Sequence, residues 1–210
     1  MNFKEVMDGR RAINFFDSEK DVPDNLIREM VGLASKTPSG FNLQPWSLMI
    51  LRDQDKKERL KTHAWNQEKI TDAPVTMIVL ADEQGWTFEN PFVEKNFSQL
   101  VQSGEMAESQ RDWFANAAAS LYGESDARKV AFACKNAGFF AMSLMLAAKS
   151  LGLETHPMDG FDIDGVRKEF KIPDNYWIMM LLAVGYLKPG VTIKPPKWRK
   201  SFDELVVDFS

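Results

Sequence analysis

The residues best suited to chemistry in this sequence are amides and cations rather than acids or nucleophiles. Residues 37 to 46 read TPSGFNLQPW, which sets Ser39, Asn42 and Gln44 between Pro38 and Pro45. Loops this polar ordinarily only reverse the chain, but prolines restrict the backbone and would hold the hydroxyl and amides in place, as a binding loop requires. Arg10 and Arg11 open the stretch RRAINFFD, and Lys197 and Arg199 stand two apart in PPKWRK. Side chains two apart in an extended segment point the same way. Two cations projecting together suit an anion, and the Arg fork grips phosphate in bidentate fashion. A solvated surface cluster has the same spacing, so both readings stand on these residues alone.

Other chemistries are set aside by what the sequence lacks. His63 and His156 lie far apart with no Cys or Glu spaced for a shared metal, so both read as structural and no metal site is expected. DGFDIDG, residues 159 to 165, has the look of a calcium loop but lacks an acid two before Asp162 and puts Lys171 where a bidentate Glu belongs. No GxGxxG, GxxxxGK[ST] or GxSxG occurs. The single Cys, Cys134, excludes an internal disulfide, favours a reducing compartment and reads as a small buried hydrophobe. A net charge of −4 argues against a nucleic-acid partner. No run of eighteen apolar residues occurs and MNFKEVMDGRR starts polar, so a soluble cytoplasmic protein without a membrane partner is expected.

The elements that must position these residues are a mixture of helix and strand. At 210 residues and 44% hydrophobic, the chain can bury one sizeable core, here taken as one domain over 1 to 210. Leu26, Ile27, Met30, Val31 and Ala34 recur at helical spacing after Pro23 and Asp24, and Pro38 and Gly40 close that helix. WSLMIL (46 to 51), PVTMIVL (74 to 80) and YWIMMLLAVGYL (176 to 187) read as strands of a sheet covered on both faces. Ala127 to Leu151 reads as one long helix, apolar or small nearly all round from Ala137 to Ala148, which must be buried on every side. The rest of the chain or a second copy of it would supply that burial. Lys135, Asn136 and Lys149 bracket a run too short to span a membrane. Residues 83 to 126 scatter large aromatics among charges without a clean period, an excursion that covers a site or forms a satellite cluster.

These residues carry a resemblance. PSGFNLQPW resembles the PSSxNxQPW loop of the FMN-dependent nitroreductase family, and further blocks follow in the family's order. RRAINFFD resembles RRSxRxFD, WNQEK (65 to 69) resembles NxxK, GLETHPMDGFD (152 to 162) resembles GLxxxPxxGFD, and PKWR resembles PKxR. The resemblance implies an α+β nitroreductase-like fold, with a mostly antiparallel central sheet flanked by helices, in an intertwined homodimer with FMN at the interface. Pro38, Ser39, Gly40, Asn42 and Gln44 would then reach the flavin bound mainly by the other subunit.

The same resemblance implies roles. Arg10, Lys197 and Arg199 would pair with the FMN phosphate, and Arg11 would touch the ribityl chain and ring edge. Asn66 would meet the N3 and carbonyl edge of the isoalloxazine, and Lys69 would lie near N1 and O2, where negative charge gathers on reduction. Pro157, Met158, Asp159 and Gly160 would set a backbone N–H against N5. Asn136 stands where the family commonly has Gln and would buttress the loop less directly. Ala12 replaces a Ser and Asn14 a cation, which implies weaker FMN binding or a lower potential. Phe41, Trp113 and Phe114 would wall the substrate side. The implied reaction is ping-pong, from NAD(P)H to flat conjugated acceptors such as nitroaromatics or quinones, with no protein acid or nucleophile required. A specialised relative, or a flavin- or partner-binding module without turnover, carries the same blocks.

Overall fold

The computed structural model describes residues 1 to 209. A short helix α1 (Phe3–Gly9) starts from a capping box in which Asn2 and Glu5 satisfy each other's backbone N–H groups. Helix α2 (Asp24–Ala34) turns Ile27, Met30 and Ala34 inward, the spacing that the apolar period requires. Strand β1 (Trp46–Leu51), helix α3 (Gln54–Thr62), the one-turn helix α4 (Lys69–Asp72) and strand β2 (Val75–Asp82) follow.

Every residue of β2 is buried, because the strand is covered on both faces. Val75, Met77 and Val79 face one core with Met30, Phe140 and Leu144. Ile78 and Leu80 face a second core with Leu60, Ile70 and Val166. Alternate residues of one strand thus serve two layers. Each fully buried aliphatic side chain contributes about 1.5 to 3 kcal/mol.

The sheet has four strands in the order β1-β2-β4-β3, adding β3 (Glu154–Met158) and β4 (Tyr176–Gly185), and all its pairs are antiparallel. Strand β3 does not stand out in the sequence, since five residues that include Glu154 and Pro157 carry no apolar alternation. Its position at the sheet edge accommodates the proline. The predicted strand 176 to 187 ends at Gly185, and 74 to 80 is shifted to 75 to 82.

The segment 83 to 126 has more order than its scattered aromatics suggest. Asn90 caps and Pro91 opens helix α5 (Pro91–Gln102), whose Val93, Asn96 and Phe97 are buried at helical spacing. Helix α6 (Arg111–Ala118) runs into a single π turn at 119 to 123. Their aromatics form a third core with Leu43 and Phe132, so a packed satellite cluster is present.

Ser125 caps the long helix α7 (Asp126–Ser150), which packs on α2 and the sheet. The expectation that this helix is enclosed on every side is not met within one chain. Phe139 remains 51% exposed, Ala131 and Lys135 are exposed on the same stripe, and a Cβ at Gly138 would meet nothing within 4 Å. Cys134 is half-buried on this helix, and burial raises its thiol pKa. The full helix of 25 residues is long and apolar enough to cross a membrane, contrary to the shorter run expected. Half of its most apolar stretch is buried inside the chain, as in the core helix of a globular fold. Helices α8 (Ile163–Phe170) and α9 (Phe202–Leu205) complete the described chain.

Candidate active site

The loop before β1 is pinned from several directions. The Gln44 N–H donates to Ser39 Oγ at 2.9 Å, and the Gln44 amide donates back to the Asn42 carbonyl at 3.3 Å. The Gly40 N–H donates to Asn136 Oδ1 at 3.1 Å, while Asn136, 1% exposed, donates its own amide to the Phe132 carbonyl at 2.7 Å. Asn136 therefore supports the loop directly and within its own chain, a correction to the weaker buttress expected of the shorter amide. Gly40 has no side chain, and a Cβ there would come within 2.5 Å of the Tyr122 hydroxyl oxygen, so glycine lets Tyr122 pack against the loop.

Phe41, Asn42 and Gln44 all have left-handed backbone, with φ of 52°, 54° and 49°. Each costs about 1 to 2 kcal/mol for a residue with a Cβ. Asn96 of α5 holds two of them: its Oδ1 accepts from Asn42 Nδ2 at 2.8 Å, and its Nδ2 donates to the Phe41 carbonyl at 3.0 Å. Nothing in the sequence singled out Asn96; only its amide type and its place on the inner face of α5 would have hinted at it. Replacing it in Asn96→Ala is expected to lower stability by about 1 to 3 kcal/mol. Urea unfolding checks this, and an unchanged midpoint would deny the clamp.

Phe41 stands among aromatic rings, 5.1 Å from Phe114 and 6.5 Å from Trp113. Trp113 is 58% exposed, whereas Phe114 is 1% exposed and packs edge-on between Phe41, Phe88 and Phe97. Phe114 thus backs Phe41 and does not face open space. Tyr122, which the sequence reading passed over, takes the remaining side, 6.3 Å from Phe41 and stacked on Phe132. Beside the loop lies a cavity of about 400 Å³ lined by Asn42, Gln44, Asn90, Lys95 and Asn96 among others.

The cations lie elsewhere, along the outer edge of β3. Ala12 bridges in parallel to Thr155, and the Ile13 N–H donates to the Thr155 carbonyl at 3.2 Å. That bridge brings Arg10, Arg11, Ala12 and Asn14 beside the strand that leads into Pro157, Met158, Asp159 and Gly160. Met158 turns its side chain into the core and leaves only backbone to the outside. Trp65 and Asn66 both have φ of 52°. A Cβ on Gly160 would approach the Trp65 ring to 2.7 Å, so glycine permits this stacking. Gln67 donates to the Gly160 carbonyl at 2.9 Å and accepts from Lys69 Nζ at 3.0 Å, which ties WNQEK to the end of β3. Gln67 lies inside the quoted block, but its bridging role depends on a contact that the sequence does not display. Burial lowers the pKa of Lys69 below its ordinary 10.5.

Lys197 and Arg199 sit on an exposed C-terminal segment, where Arg199 curls back to the Trp198 and Lys197 carbonyls. Burial is the main cause that lowers the pKa of His156 below its ordinary 6.5, and Lys69 and Lys197 lower it further. Among the described residues, no ion pair to a carboxylate is formed by Arg10, Arg11, Lys69, Lys197 or Arg199. Nor does any hydrogen bond among them join this group to the pinned loop. One chain therefore presents two separate partial sites.

The family model described as Nitroreductase family matches residues 7 to 186, a span that contains the pinned loop, the 65 to 69 block and β3. The chain belongs to the nitroreductase family. It is 31% identical over 97% of its length to "Putative NAD(P)H nitroreductase MhqN" of Bacillus subtilis, with 97% of that protein covered. It is 32% identical to an NADH dehydrogenase of Thermus thermophilus, with 84% and 82% of the two chains covered. An Exiguobacterium sibiricum protein solved in complex with FMN superposes with a TM-score of 0.86 at 23% identity, covering 99% of this chain and 97% of the other. The α+β nitroreductase-like fold and its open antiparallel sheet match expectation. Nitroreductase family members are oxidoreductases, and this chain is one by descent.

Proposed function

We propose that the protein is an FMN-dependent oxidoreductase that takes hydride from NAD(P)H and passes it, in ping-pong fashion, to flat conjugated acceptors such as nitroaromatics or quinones. The observation that supports it most is the group of cations along β3 that have no carboxylate partner among the described residues. Arg11 Nε and Thr155 Oγ1 beside them are buried without a hydrogen-bond partner, and Lys69 has only an amide oxygen. Cations held only by carbonyl or amide oxygens, together with orphaned polar atoms, fit a phosphate-bearing group with a polar ring edge. The FMN of the Exiguobacterium relative and the nicotinamide donors in the names of the other two point the same way.

In this reading Arg10, Lys197 and Arg199 hold the terminal phosphate, each charge-assisted bond contributing about 1.5 to 3 kcal/mol. Arg11 supports the ribityl chain. Asn66 and the backbone of Pro157 to Gly160 orient the ring, and Gln67 holds Lys69 against its electron-rich edge. FMN, when bound, supplies the hydride chemistry. Pro38, Ser39, Gly40, Asn42 and Gln44 come from a second copy, with Asn136 and Asn96 behind them, and Phe41 and Trp113 exclude water on the acceptor side. The protein works as a homodimer built on the open face of α7, its 210 residues act as one unit in which α5 and α6 brace the site, and its compartment is the cytoplasm.

The test is the purified protein itself. It is expected to be yellow and to release FMN, not FAD, on denaturation, as read by chromatography of the supernatant. Colourless protein that takes up no added FMN would sink the proposal.

A further inference from the structure

The cavity beside the pinned loop has no part in the roles assigned so far. Its volume of about 400 Å³ lies within the range of about 300 to 1,000 Å³ that small-molecule sites occupy. One wall is the outer face of α5. Val93, Asn96 and Phe97 of that helix turn inward, which leaves Phe92, Lys95 and Gln99, at i, i+3 and i+7, on one outward stripe, and all three line the cavity. Phe92 is 71% exposed, and Lys95 and Gln99 are exposed beside it. Another wall is the loop itself, through Asn42 and Gln44. Two charged residues line the cavity, and they differ. Asp82 is buried, and its carboxylate accepts from the Asn90 amide at 2.8 Å, the Asn175 amide at 2.9 Å and the Gln84 N–H at 3.0 Å, so donors already surround its charge. Lys95 forms no ion pair among the described residues, and the neighbouring Glu94 pairs with Arg111. An exposed ring, an amide and an unpaired ammonium on one stripe suit an aromatic base that carries a phosphate: the base stacks on the ring, its edge meets the amide, and the ammonium takes the phosphate.

We propose that this cavity is a subsite for the adenosine half of the nicotinamide donor, with the adenine against Phe92 and Gln99 and a phosphate on Lys95. The proposal rests on the reading above, in which NAD(P)H is the donor and the loop reaches the flavin bound by a second copy. Position supports it: Asn42 and Gln44 belong both to that loop and to the cavity wall, so a dinucleotide held here by one end leads toward the flavin. Volume supports it too, because the cavity takes one nucleotide half and leaves the nicotinamide half outside, where hydride transfer needs it. One copy then holds the tail of the donor while the nicotinamide reaches the flavin of the other. Lys95 meets either the diphosphate, which NADH and NADPH share, or the 2′-phosphate, which NADPH alone carries.

The test compares flavin-loaded parent, Lys95→Gln and Lys95→Arg in steady-state oxidation of NADPH, of NADH and of N-benzyl-1,4-dihydronicotinamide, a donor with no adenosine half, with menadione as the acceptor. In Lys95→Gln the kcat/KM for NADPH, taken relative to that for the benzyl donor, is expected to fall about tenfold or more through a higher KM, as the loss of one charge-assisted hydrogen bond to bound donor implies. Lys95→Arg, which keeps the cation, is expected to recover most of that loss. A fall confined to NADPH puts the 2′-phosphate on Lys95, and an equal fall with NADH puts the diphosphate there. If neither NADPH nor NADH loses ground relative to the benzyl donor in Lys95→Gln, the inference is overturned and the FMN reading stands. Parent protein that holds FMN but oxidises none of the three donors overturns the inference together with the reading on which it rests.

Discussion

Gly138→Trp is expected to convert the protein from a dimer that holds FMN into a folded monomer that does not. Within one chain the change is mild: a Cβ at Gly138 meets nothing within 4 Å, and replacing a helical glycine stabilises an isolated helix by up to about 1 kcal/mol. Between two copies it is severe. Phe139, Ala131 and Lys135 lie exposed on the same face of α7, and a glycine in that face lets a second helix approach closely. Overpacking costs about 1 to 3 kcal/mol per site, and in the proposed dimer on the open face of α7 the two copies of the site face each other, so the dissociation constant is expected to rise by roughly 10² to 10⁴. Sedimentation velocity and flavin fluorescence read the two losses together. A Gly138→Trp protein that remains dimeric with parental FMN affinity would place the interface elsewhere and remove the second-copy role of Ser39, Asn42 and Gln44.

Lys69→Ala is expected to slow flavin reduction by NAD(P)H about 10²-fold, by analogy with removal of one preorganised electrostatic donor. Flavin affinity should fall much less, because in the proposed site Arg10, Lys197 and Arg199 remain to hold the phosphate. Two features make Lys69 suited to this. Gln67 fixes its ammonium by a 3.0 Å bond and is itself fixed to Gly160, so the charge is positioned in advance. Burial disfavours that charge in the empty site, and an anion brought alongside restores it. Stopped-flow reduction at saturating nicotinamide gives the rate; equal rates in variant and parent would remove Lys69 from the chemistry.

The candidate site could be proposed from the sequence because its signals are residue types at fixed spacing. The loop at 38 to 45, the paired arginines, WNQEK and the block that ends in GFD are local strings, and all lie within the residues that the family model matches. What was not legible depends on distance in space. Asn96 and Gln67 matter because the loop at 41 to 42 and the Gly160 carbonyl, both distant in sequence, lie within hydrogen-bond reach of them. Trp113 and Phe114 look alike as neighbours in sequence, but adjacent helical side chains point about 100° apart, so one lies outside while the other is buried. Strand β3 carries too little pattern in five residues, and its neighbour β4 supplies what it lacks. Helix α7 was ambiguous for a sound reason: its period describes a helix covered on all sides, and one chain covers only part of it.

The most direct measurement is an anaerobic spectral titration of the flavin-loaded protein, first with NADH or NADPH and then with menadione. Bleaching of the flavin band by the nicotinamide, followed by its full return on addition of the quinone, is the expected result, since each half-reaction then proceeds in the absence of the other substrate. Protein that holds FMN but keeps an oxidised spectrum with both nicotinamides would contradict the proposed activity and leave a flavin-binding module in its place.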